Sequence, residues 1–337
     1  MTAFLEAIQI ALPHRVVTNR DLQSENPDWD MFHLEERTGV FQRHIAAEDE
    51  TALDLGELAC RQLATTNPGL IESVDGLIFC TETPDYPIPS NAALLHDRLA
   101  LPQDIIALDI NMGCSGFIHS LDVARNFILS GNAQRFLLVT GDTYSRFISP
   151  GDRATRVLFG DGAAATIIGS SVPGTGIVDT VFGANGKHFR RFYVPAGGMR
   201  QPTDASTKEQ VRDQSGNVRN AEQITMQGFQ VLTFFNSAVP QAVRGLLAKN
   251  GLTVEDVDLF IFHQASSVAL SSITKSLGLS SDRVLNRMAN TGNLVSSSIP
   301  AAYKMASDEG LIESGQRIVL CGFGVGLLWG ASLAIVP

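Results

Sequence analysis

Residues 72–79 read ESVDGLIF and residues 255–262 read EDVDLFIF, so one helix-to-strand passage recurs at an offset of 183 residues. A second pair recurs at an offset of 182 residues, with RFLLVTG beginning at Arg135 and RIVLCGF beginning at Arg317, each after a Ser-Gly turn. Any two strand–helix units share some pattern, but two matches at nearly one offset indicate an internal duplication. We therefore predict two similar halves, residues 1–172 and residues 173–337.

Short apolar runs alternate with helical stretches in both halves. The runs include GLIF, IIALDI, RFLLVTG, LFIF and RIVLCG, and helical stretches such as 114–130 and 226–249 lie between them. Apolar runs of this length between helices are typical of buried strands in largely parallel sheets, so the predicted class is α/β. Residues 196–223 are polar and without periodicity, which predicts a surface loop that is either a substrate lid or a plain excursion.

The composition indicates a folded protein without a membrane segment. Of the 337 residues, 44% are apolar and 18% are charged, and the mean hydropathy is +0.09, which excludes intrinsic disorder. The chain has no run of about 18 apolar residues and no basic signal-peptide start, so we expect a cytoplasmic protein that does not contact a membrane. The formal charge of −10 disfavours nucleic-acid binding.

The four cysteines form no C-x-x-C pair, so neither a disulfide framework nor a zinc site is indicated. Cys114 differs from the others because it follows the apolar run IIALDI and precedes the helical stretch GFIHSLDVARNFILSG. At such a strand-to-helix turn the free N–H groups of the helix favour a thiolate, and the small neighbours Gly113 and Gly116 leave room for a substrate. Cys114 is thus a candidate nucleophile, the alternative being a packed thiol at a tight turn.

Two further polar residues stand at the ends of predicted elements in the second half. His263 ends the strand LFIF, and Asn293 lies in a Thr-Gly-Asn turn; alone, each is also consistent with a plain hydrogen-bonded residue. The stretch GFGVGLLWG at 322–330 lacks the glycine spacing and the downstream acidic residue of a dinucleotide site. We interpret it as backbone that passes close to a substrate, with amides available to an oxyanion.

Taken together, the ordered motifs of the chain resemble those of the β-ketoacyl-acyl-carrier-protein synthase III family of the thiolase superfamily. They are ERTGVFQRHIA at 36–46, TPDYPIPS at 83–90, DINMGCSGF at 109–117, GDRAT at 151–155, FGDGAAA at 159–165, FHQAS at 262–266, NTGNLVSSSIP at 290–300 and FGVGLLWGA at 323–331. The resemblance spans nearly the whole chain and implies the five-layered αβαβα thiolase-like fold, usually as a homodimer. It also implies that Cys114, His263 and Asn293 form the catalytic triad of the family.

The resemblance implies an acyltransferase that forms a carbon–carbon bond by decarboxylative Claisen condensation in a specialised fatty-acid or polyketide-type pathway. Cys114 would take an acyl group from an acyl-CoA or acyl-carrier-protein thioester, with the oxyanion held by the backbone amides of Cys114 and Val325. His263 and Asn293 would donate to the carbonyl of a malonyl thioester as it loses CO2, with no metal or other cofactor. The alternatives are transfer of the acyl group to an alcohol, an amine or water, and a non-catalytic subunit, against which the retained cysteine argues.

Several positions depart from the family pattern. Ser266 and Val268 stand where the family has an asparagine and an arginine after the HQA run, Thr233 replaces a lysine, and His33 replaces the aromatic residue that stacks on the CoA adenine. Arg37 and Arg153 remain to bind CoA. Because lost cationic contacts weaken recognition of an acidic carrier, we expect a different carrier or a different acyl donor.

The acyl pocket implied by the resemblance is also altered. It would be lined by Glu82, Ile88, Tyr144 and Phe159, with Glu82 in place of a threonine and Tyr144 in place of a leucine. Val325 replaces the middle glycine of a triple-glycine turn and would be strained if its φ is positive. These changes favour an acyl group other than acetyl, either with polar character or of a specialised length, the alternative being neutral drift around an unchanged acetyl site.

Overall fold

The computed structural model describes residues 2–171 and 174–337. The predicted boundary between the halves, at residues 172 and 173, lies outside the described residues. The strands before this boundary are β1 (Thr2–Ala11), β2 (Val16–Thr18), β3 (Gln42–His44), β4 (Gly76–Cys80), β5 (Ile106–Ile110), β6 (Arg135–Asp142) and β7 (Gly162–Ser171). The helices before it are α1 (Asn19–Glu25), α2 (Met31–Thr38), α3 (Ala52–Thr66), α4 (Asn91–Arg98), α5 (Gly116–Leu129) and α6 (Arg153–Arg156).

Strands and helices also alternate along the chain after the boundary. The strands are β8 (Gly176–Ala184), β9 (Phe192–Tyr193), β10 (Val211–Arg212), β11 (Val218–Arg219), β12 (Thr225–Met226), β13 (Leu259–Phe262), β14 (Arg317–Gly324) and β15 (Leu328–Ile335). The helices are α7 (Gly228–Lys249), α8 (Ser267–Leu277) and α9 (Ser298–Asp308).

Two sheets carry the fold, and their strands follow the same order. The first sheet is β1-β7-β6-β4-β5 and the second is β8-β15-β14-β13. A parallel bridge between Phe260 and Val284 continues the second sheet beyond β13, at the place that β5 occupies in the first. In each sheet the outermost first strand lies antiparallel beside the last strand of that sheet, whereas the inner strands β4 and β6, like β13 and β14, are parallel. The repeated stretches of the sequence therefore form equivalent strands, β4 with β13 and β6 with β14, as the duplication predicted.

The helices arrange the two sheets into five layers. Helices α5 and α9 lie between the sheets and contact strands of both. Helices α3 and α4 cover the outer face of the first sheet, and α7, packed against α8, covers the outer face of the second. The predicted αβαβα order is confirmed. Among the helices of the described ranges, none combines the length and the apolar character needed to cross a membrane.

The middle layer joins the two halves through one core. Helix α5 buries Phe117, Ile118 and Leu121, while α9 buries small residues such as Ala301 and Ala302. One cluster of buried side chains takes in these helices together with β4, β6, β13 and β14. Because small side chains permit close packing, α9 fits between the sheets, and the halves share an interior rather than touching at a surface.

Residues 196–223 are mostly exposed, as predicted, but they are not irregular throughout. They include the hairpin β10–β11, whose Arg219 forms an ion pair with Asp152 at 3.1 Å. The Ser149 hydroxyl donates to the carbonyl oxygen of Val218 at 2.6 Å. These contacts attach the segment to the loop before α6. Its role as a substrate lid stays a prediction.

Candidate active site

The candidate site lies at the carboxyl ends of the parallel strands, where the two halves meet. Cys114 follows β5 and precedes α5, His263 follows β13, and Val325 follows β14. Asn293 precedes α9, and the turn between them, residues 295–297, contacts α5. Carboxyl ends of parallel strands share one edge of a sheet, so each half offers its edge to the same space.

Cys114 is buried against the backbone of the second half. Its exposure is 3%, and a Cβ placed on Gly324 would lie 2.6 Å from the Cys114 Sγ. A Cβ on Gly322 would likewise lie 2.9 Å from the Cys114 carbonyl oxygen. Real Cβ contacts are not shorter than 3.0 Å, so only glycine allows this approach. The end of β14 therefore passes directly over the candidate nucleophile.

The electrostatic surroundings of Cys114 keep it protonated. Burial raises the pKa of the thiol, and the nearby carboxyl groups of Glu82 and Asp142 raise that pKa further. The backbone N–H groups of Val325 and Cys114 oppose this shift because they donate toward the sulfur. The position before a helix predicts a thiolate, but the thiol is the resting form. Burial raises the pKa of Cys114 by more than the amino end of the helix lowers it. The same two N–H groups are placed to stabilise an oxyanion on an acyl group bound to Cys114.

The side chains of His263 and Asn293 lie side by side. The His263 Nε2 and the Asn293 Nδ2 are 3.4 Å apart, and both residues are buried. The Asn293 Oδ1 accepts the Val295 N–H at 2.9 Å and the Ser298 hydroxyl at 3.3 Å, which turns the amide NH2 toward His263. The His263 ring also packs at a right angle on Phe323, which precedes the glycine that covers Cys114.

The protonation of His263 makes this pair a double donor. Burial lowers the pKa of His263 to about 3, so the imidazole is neutral at ordinary pH. Its Nδ1 has no hydrogen-bond partner among the described residues, and a buried N–H without a partner is rarer than a bare acceptor. We therefore assign the hydrogen to Nε2. The His263 Nε2–H and the Asn293 Nδ2–H cannot bond each other and are available to one shared acceptor.

Two carboxyl groups lie beside the thiol. Asp142 accepts the Ser296 hydroxyl at 2.5 Å and the Glu82 backbone N–H at 2.8 Å. Its burial, together with the Glu82 charge, raises the pKa of Asp142 to about 8. Burial raises the pKa of Glu82 as well, and the Glu82 carboxylate accepts the Tyr144 hydroxyl. Within the described part of the chain, no cationic side chain acts on either group, so this side of the site is acidic.

Three of the four predicted pocket residues gather near the thiol. Tyr144 packs on Phe159 with ring centroids 5.4 Å apart, and both belong to the buried cluster that contains Cys114. Glu82 joins them through Tyr144. Ile88 does not, because it is 85% exposed on the surface of its own chain. The role of Ile88 in lining the pocket therefore stays a prediction.

Val325 is not strained. The non-glycine residues with positive φ in the described ranges are Ala100, Val295 and Leu327, so Val325 is not one of them. The left-handed conformation of this turn falls instead on Gly326, with φ 77°, and on Leu327, with φ 51°. The expected strain does not arise because the turn places its positive φ values one and two residues later.

The residues predicted to bind CoA lie around α2. Arg37 is in the last turn of α2 and is exposed, and Arg153 begins α6. The His33 N–H lowers the pKa of Asp30, the N-cap of α2, and the nearby charge of Arg153 adds a smaller effect of the same sign. His33 is exposed on the same helix and binds Asp30 at 2.8 Å. Val268 is 39% exposed at the start of α8, which packs against α2. The structure therefore places these residues on one surface, outside the cluster around Cys114.

Some residues of the site have no distinctive sequence pattern from which their role could be predicted. Asp142 ends β6 and ties the Glu82 segment to Ser296 of the second half, yet a Gly-Asp pair after a strand is common. Gly324 lies in the stretch that we interpret as backbone passing close to a substrate. Its contact with Cys114 could not be predicted, because that contact depends on how the two halves pack. No group of three or more His, Cys, Asp or Glu side chains in the described ranges is arranged to hold a metal ion.

Comparison with known proteins covers both parts of this site. The family model described as 3-oxoacyl-[acyl-carrier-protein (ACP)] synthase III matches residues 108–186, and the model of its C-terminal part matches residues 247–335. A β-ketoacyl-[acyl-carrier-protein] synthase III of Caldanaerobacter subterraneus subsp. tengcongensis is 34% identical over 322 residues, which cover 96% of this chain and 94% of that protein.

Solved structures are similar over the full length. A crystal structure of a 3-oxoacyl-(acyl-carrier-protein) synthase III is 37% identical, with a TM-score of 0.97 over 99% of this chain and 100% of that one. The priming β-ketosynthase of the R1128 polyketide biosynthetic pathway is 26% identical, with a TM-score of 0.86 over 100% of this chain and 96% of that one. The predicted thiolase-like fold is thereby confirmed.

Proposed function

Since the chain belongs to the 3-oxoacyl-[acyl-carrier-protein] synthase III family, we propose that Cys114, His263 and Asn293 carry out its decarboxylative Claisen condensation. The protein is an acyltransferase that joins a Cys-bound acyl group to a malonyl thioester in a fatty-acid or polyketide-type pathway. One observation carries the assignment of residues. The His263 and Asn293 donors lie 3.4 Å apart, and the His263 ring packs on Phe323, directly before the glycine that covers Cys114. Two aimed donors are what an enolate oxygen requires.

The first half-reaction loads the enzyme. The Cys114 sulfur attacks the carbonyl carbon of an acyl-CoA, and the carbonyl oxygen becomes an oxyanion that accepts from the backbone N–H groups of Cys114 and Val325. Collapse of this intermediate breaks the bond to the CoA sulfur. The CoA thiol leaves with the proton that Cys114 gives up, so no net charge is left in the acidic site. A buried thiol with a raised pKa fits this order, because proton loss accompanies attack.

The second half-reaction forms the carbon–carbon bond. A malonyl thioester places its carbonyl oxygen between His263 Nε2 and Asn293 Nδ2, and loss of CO2 leaves an enolate whose charge develops on that oxygen. The enolate carbon attacks the acyl carbonyl on Cys114. The carbon–sulfur bond then breaks, the Cys114 sulfur takes up a proton from solvent, and the β-ketoacyl thioester leaves. Neutral His263 suits this step because its Nε2–H can donate a hydrogen bond to the enolate oxygen.

The substrates are proposed to be acyl-CoA or acyl-carrier-protein thioesters, without a metal or other cofactor. Arg37 and Arg153, on the surface around α2, would bind the phosphates of CoA. Replacing either by alanine should raise KM for CoA thioesters and leave KM for short pantetheine thioesters unchanged. Equal effects on both would contradict the assignment. We propose a cytoplasmic location as well, because CoA thioesters are the substrates.

We further propose a homodimer formed through β5. This strand is the edge of the first sheet, and its residues are only half-buried in a single chain. The segment after Ile88 is attached to β5, because the Asn91 N–H donates to Asp109 at 2.7 Å. Pairing of β5 with its copy would cover the open edge and bring Ile88 toward the partner. Light scattering should give twice the mass of 36.2 kDa at micromolar concentration, and a monomer would contradict the proposal.

Intact-protein mass spectrometry after incubation with an acyl-CoA panel tests the function. We expect one acyl group on the wild type and on Cys60→Ala, which removes another buried thiol, and none on Cys114→Ala. Malonyl thioester should then release CO2 and give β-ketoacyl product with the first two proteins only. An acylated Cys114→Ala protein would refute the nucleophile. Full turnover without malonyl thioester would establish transfer to water, an alcohol or an amine instead.

A further inference from the structure

The pocket wall beside Cys114 holds a carboxyl–phenol pair that the condensation itself does not use. Glu82 follows β4 and Tyr144 follows β6, and these strands are parallel neighbours, so both side chains stand at the edge where Cys114 follows β5. The Tyr144 hydroxyl donates to Glu82 Oε2. That oxygen lies so close to Gly113 that a Cβ there would collide with it. The pair therefore adjoins the residue directly before Cys114.

Local structure does not require a carboxylate at this position. The bond that ties this segment to Asp142 comes from the Glu82 backbone N–H, which any residue except proline supplies. An amide or a hydroxyl could equally accept from Tyr144. A buried carboxylate without a cation carries a desolvation cost, which raises the pKa of Glu82, and the Glu82 charge in turn raises the pKa of Asp142. A group retained at such a cost, next to the nucleophile, points to a ligand.

The carboxyl group has free acceptor capacity. It is buried, with the Tyr144 hydroxyl and the Gly113 segment beside it. A carboxylate offers about four acceptor positions. The Tyr144 hydroxyl and the Gly113 backbone N–H occupy two of them. The remaining positions can accept from a group that enters with the acyl chain.

We propose that Glu82, positioned by Tyr144, selects acyl donors that carry a hydroxyl or amino group on the first few carbons beyond the thioester. This inference rests on the proposed function, because the acyl group must first be loaded on Cys114. The hydrogen-bond donor of the acyl chain meets the Glu82 carboxylate, whereas a plain alkyl chain leaves its remaining acceptor positions unpaired. An acyl group that ends in a carboxylate is disfavoured by the charge of Glu82.

Loading rates of matched acyl pairs, followed by intact-protein mass spectrometry, test the proposal. The probes are 3-hydroxybutyryl-CoA against butyryl-CoA, β-alanyl-CoA against propionyl-CoA, and succinyl-CoA as the anionic control. Sites built to hydrogen-bond a substrate group reject analogues that lack it, and we expect at least one pair to differ by about tenfold or more. Succinyl-CoA should load most slowly. Each ratio is measured within one protein, so partial misfolding does not change it.

Three variants assign the preference to the pair of Glu82 and Tyr144. Glu82→Leu should bring the selective ratio to within about twofold of unity, and Glu82→Gln should keep a hydroxyl preference but lose an amino preference, since the charge is gone. Tyr144→Phe should lower the ratio without abolishing it. Ratios near one for both pairs in the wild type, or an unchanged ratio in Glu82→Leu, would overturn this proposal but leave the proposed function intact. Failure of every acyl-CoA to label Cys114 would overturn the proposed function and this inference with it.

Discussion

Replacing Gly324 by alanine should block acylation of Cys114 while the fold remains intact. The added Cβ would lie 2.6 Å from the Cys114 Sγ, whereas ordinary contacts begin at 3.4 Å. Either the sulfur or the Val325 segment must therefore move by about 1 Å, a displacement that can lower a rate by about 10²-fold. Loss of the Val325 N–H as an oxyanion donor would cost about 10²- to 10³-fold. We expect the acylation rate to fall by at least about 10²-fold.

The assay is the time course of acyl-CoA labelling by intact-protein mass spectrometry, with urea unfolding measured in parallel. Gly245→Ala in α7 is the matched control, because no atom lies within 4 Å of a Cβ at that position. Alanine in a helix interior is favoured over glycine by about 0.5–1 kcal/mol, so this control should be as stable as the wild type and fully active. Wild-type labelling by Gly324→Ala would refute the close packing of β14 on the nucleophile. An equal loss of labelling in Gly324→Ala and Gly245→Ala would show that the loss does not come from the contact between residue 324 and Cys114.

His263→Ala and Asn293→Ala should each lower malonyl decarboxylation by about 10²- to 10³-fold and spare acyl loading, since their donors face the enolate oxygen. Iodoacetamide should alkylate Cys114 slowly at pH 7, with a rate still rising at pH 9, because burial and Glu82 raise the pKa of the thiol. The folded state holds the Asp142 proton up to about pH 8 and the unfolded state only up to about 4, whereas His263 is protonated up to about pH 6.5 in the unfolded state alone. The two effects oppose each other below pH 6.5, so the free energy of unfolding should fall as pH rises from about 6.5 to 8, and Asp142→Asn should flatten the fall.

Each of these expectations can fail in a distinct way. Equal loss of loading and decarboxylation in the His263 and Asn293 variants would remove the division between the two half-reactions. A rate of alkylation that levels off below pH 7 would show a resting thiolate and contradict the burial argument. A free energy of unfolding that rises between about pH 6.5 and pH 8, and does so equally in Asp142→Asn, would show that other groups control the pH dependence in this range.

The sequence predicts the fold well where the pattern is local or repeated. ESVDGLIF and EDVDLFIF locate two equivalent strands because a buried strand that follows a helix needs the same apolar run in each half. The edge of the second sheet could not be predicted in this way, since it is a single bridge at Val284 without an apolar run of its own. The hairpin β10–β11 could not be predicted either, because two-residue strands have no periodicity and depend on ion pairs such as Arg219 with Asp152.

The candidate site is predictable in its residue types and less so in their chemical state. Cys114 is visible because a strand-to-helix turn with small neighbours has a sequence signature. The sequence predicted a thiolate there, but burial and two carboxyl groups decide the pKa, and burial is a property of the assembled halves. Ile88 shows the same limit in the other direction. Its place in a motif says nothing about exposure, and in the single chain it faces outward.

The duplication explains why one site draws on both halves. In each half a middle-layer helix follows the edge of the sheet, which is β5 in the first half and the bridge at Val284 in the second. The segment between this edge and the helix supplies Cys114 before α5 and Asn293 before α9. The turn at 295–297 contacts α5, so the amino ends of these two helices meet. The equivalence is one of position and not of chemistry, since one copy provides the nucleophile and the other a donor. Neither half alone contains both, so catalysis depends on the shared core that holds α5 and α9 together.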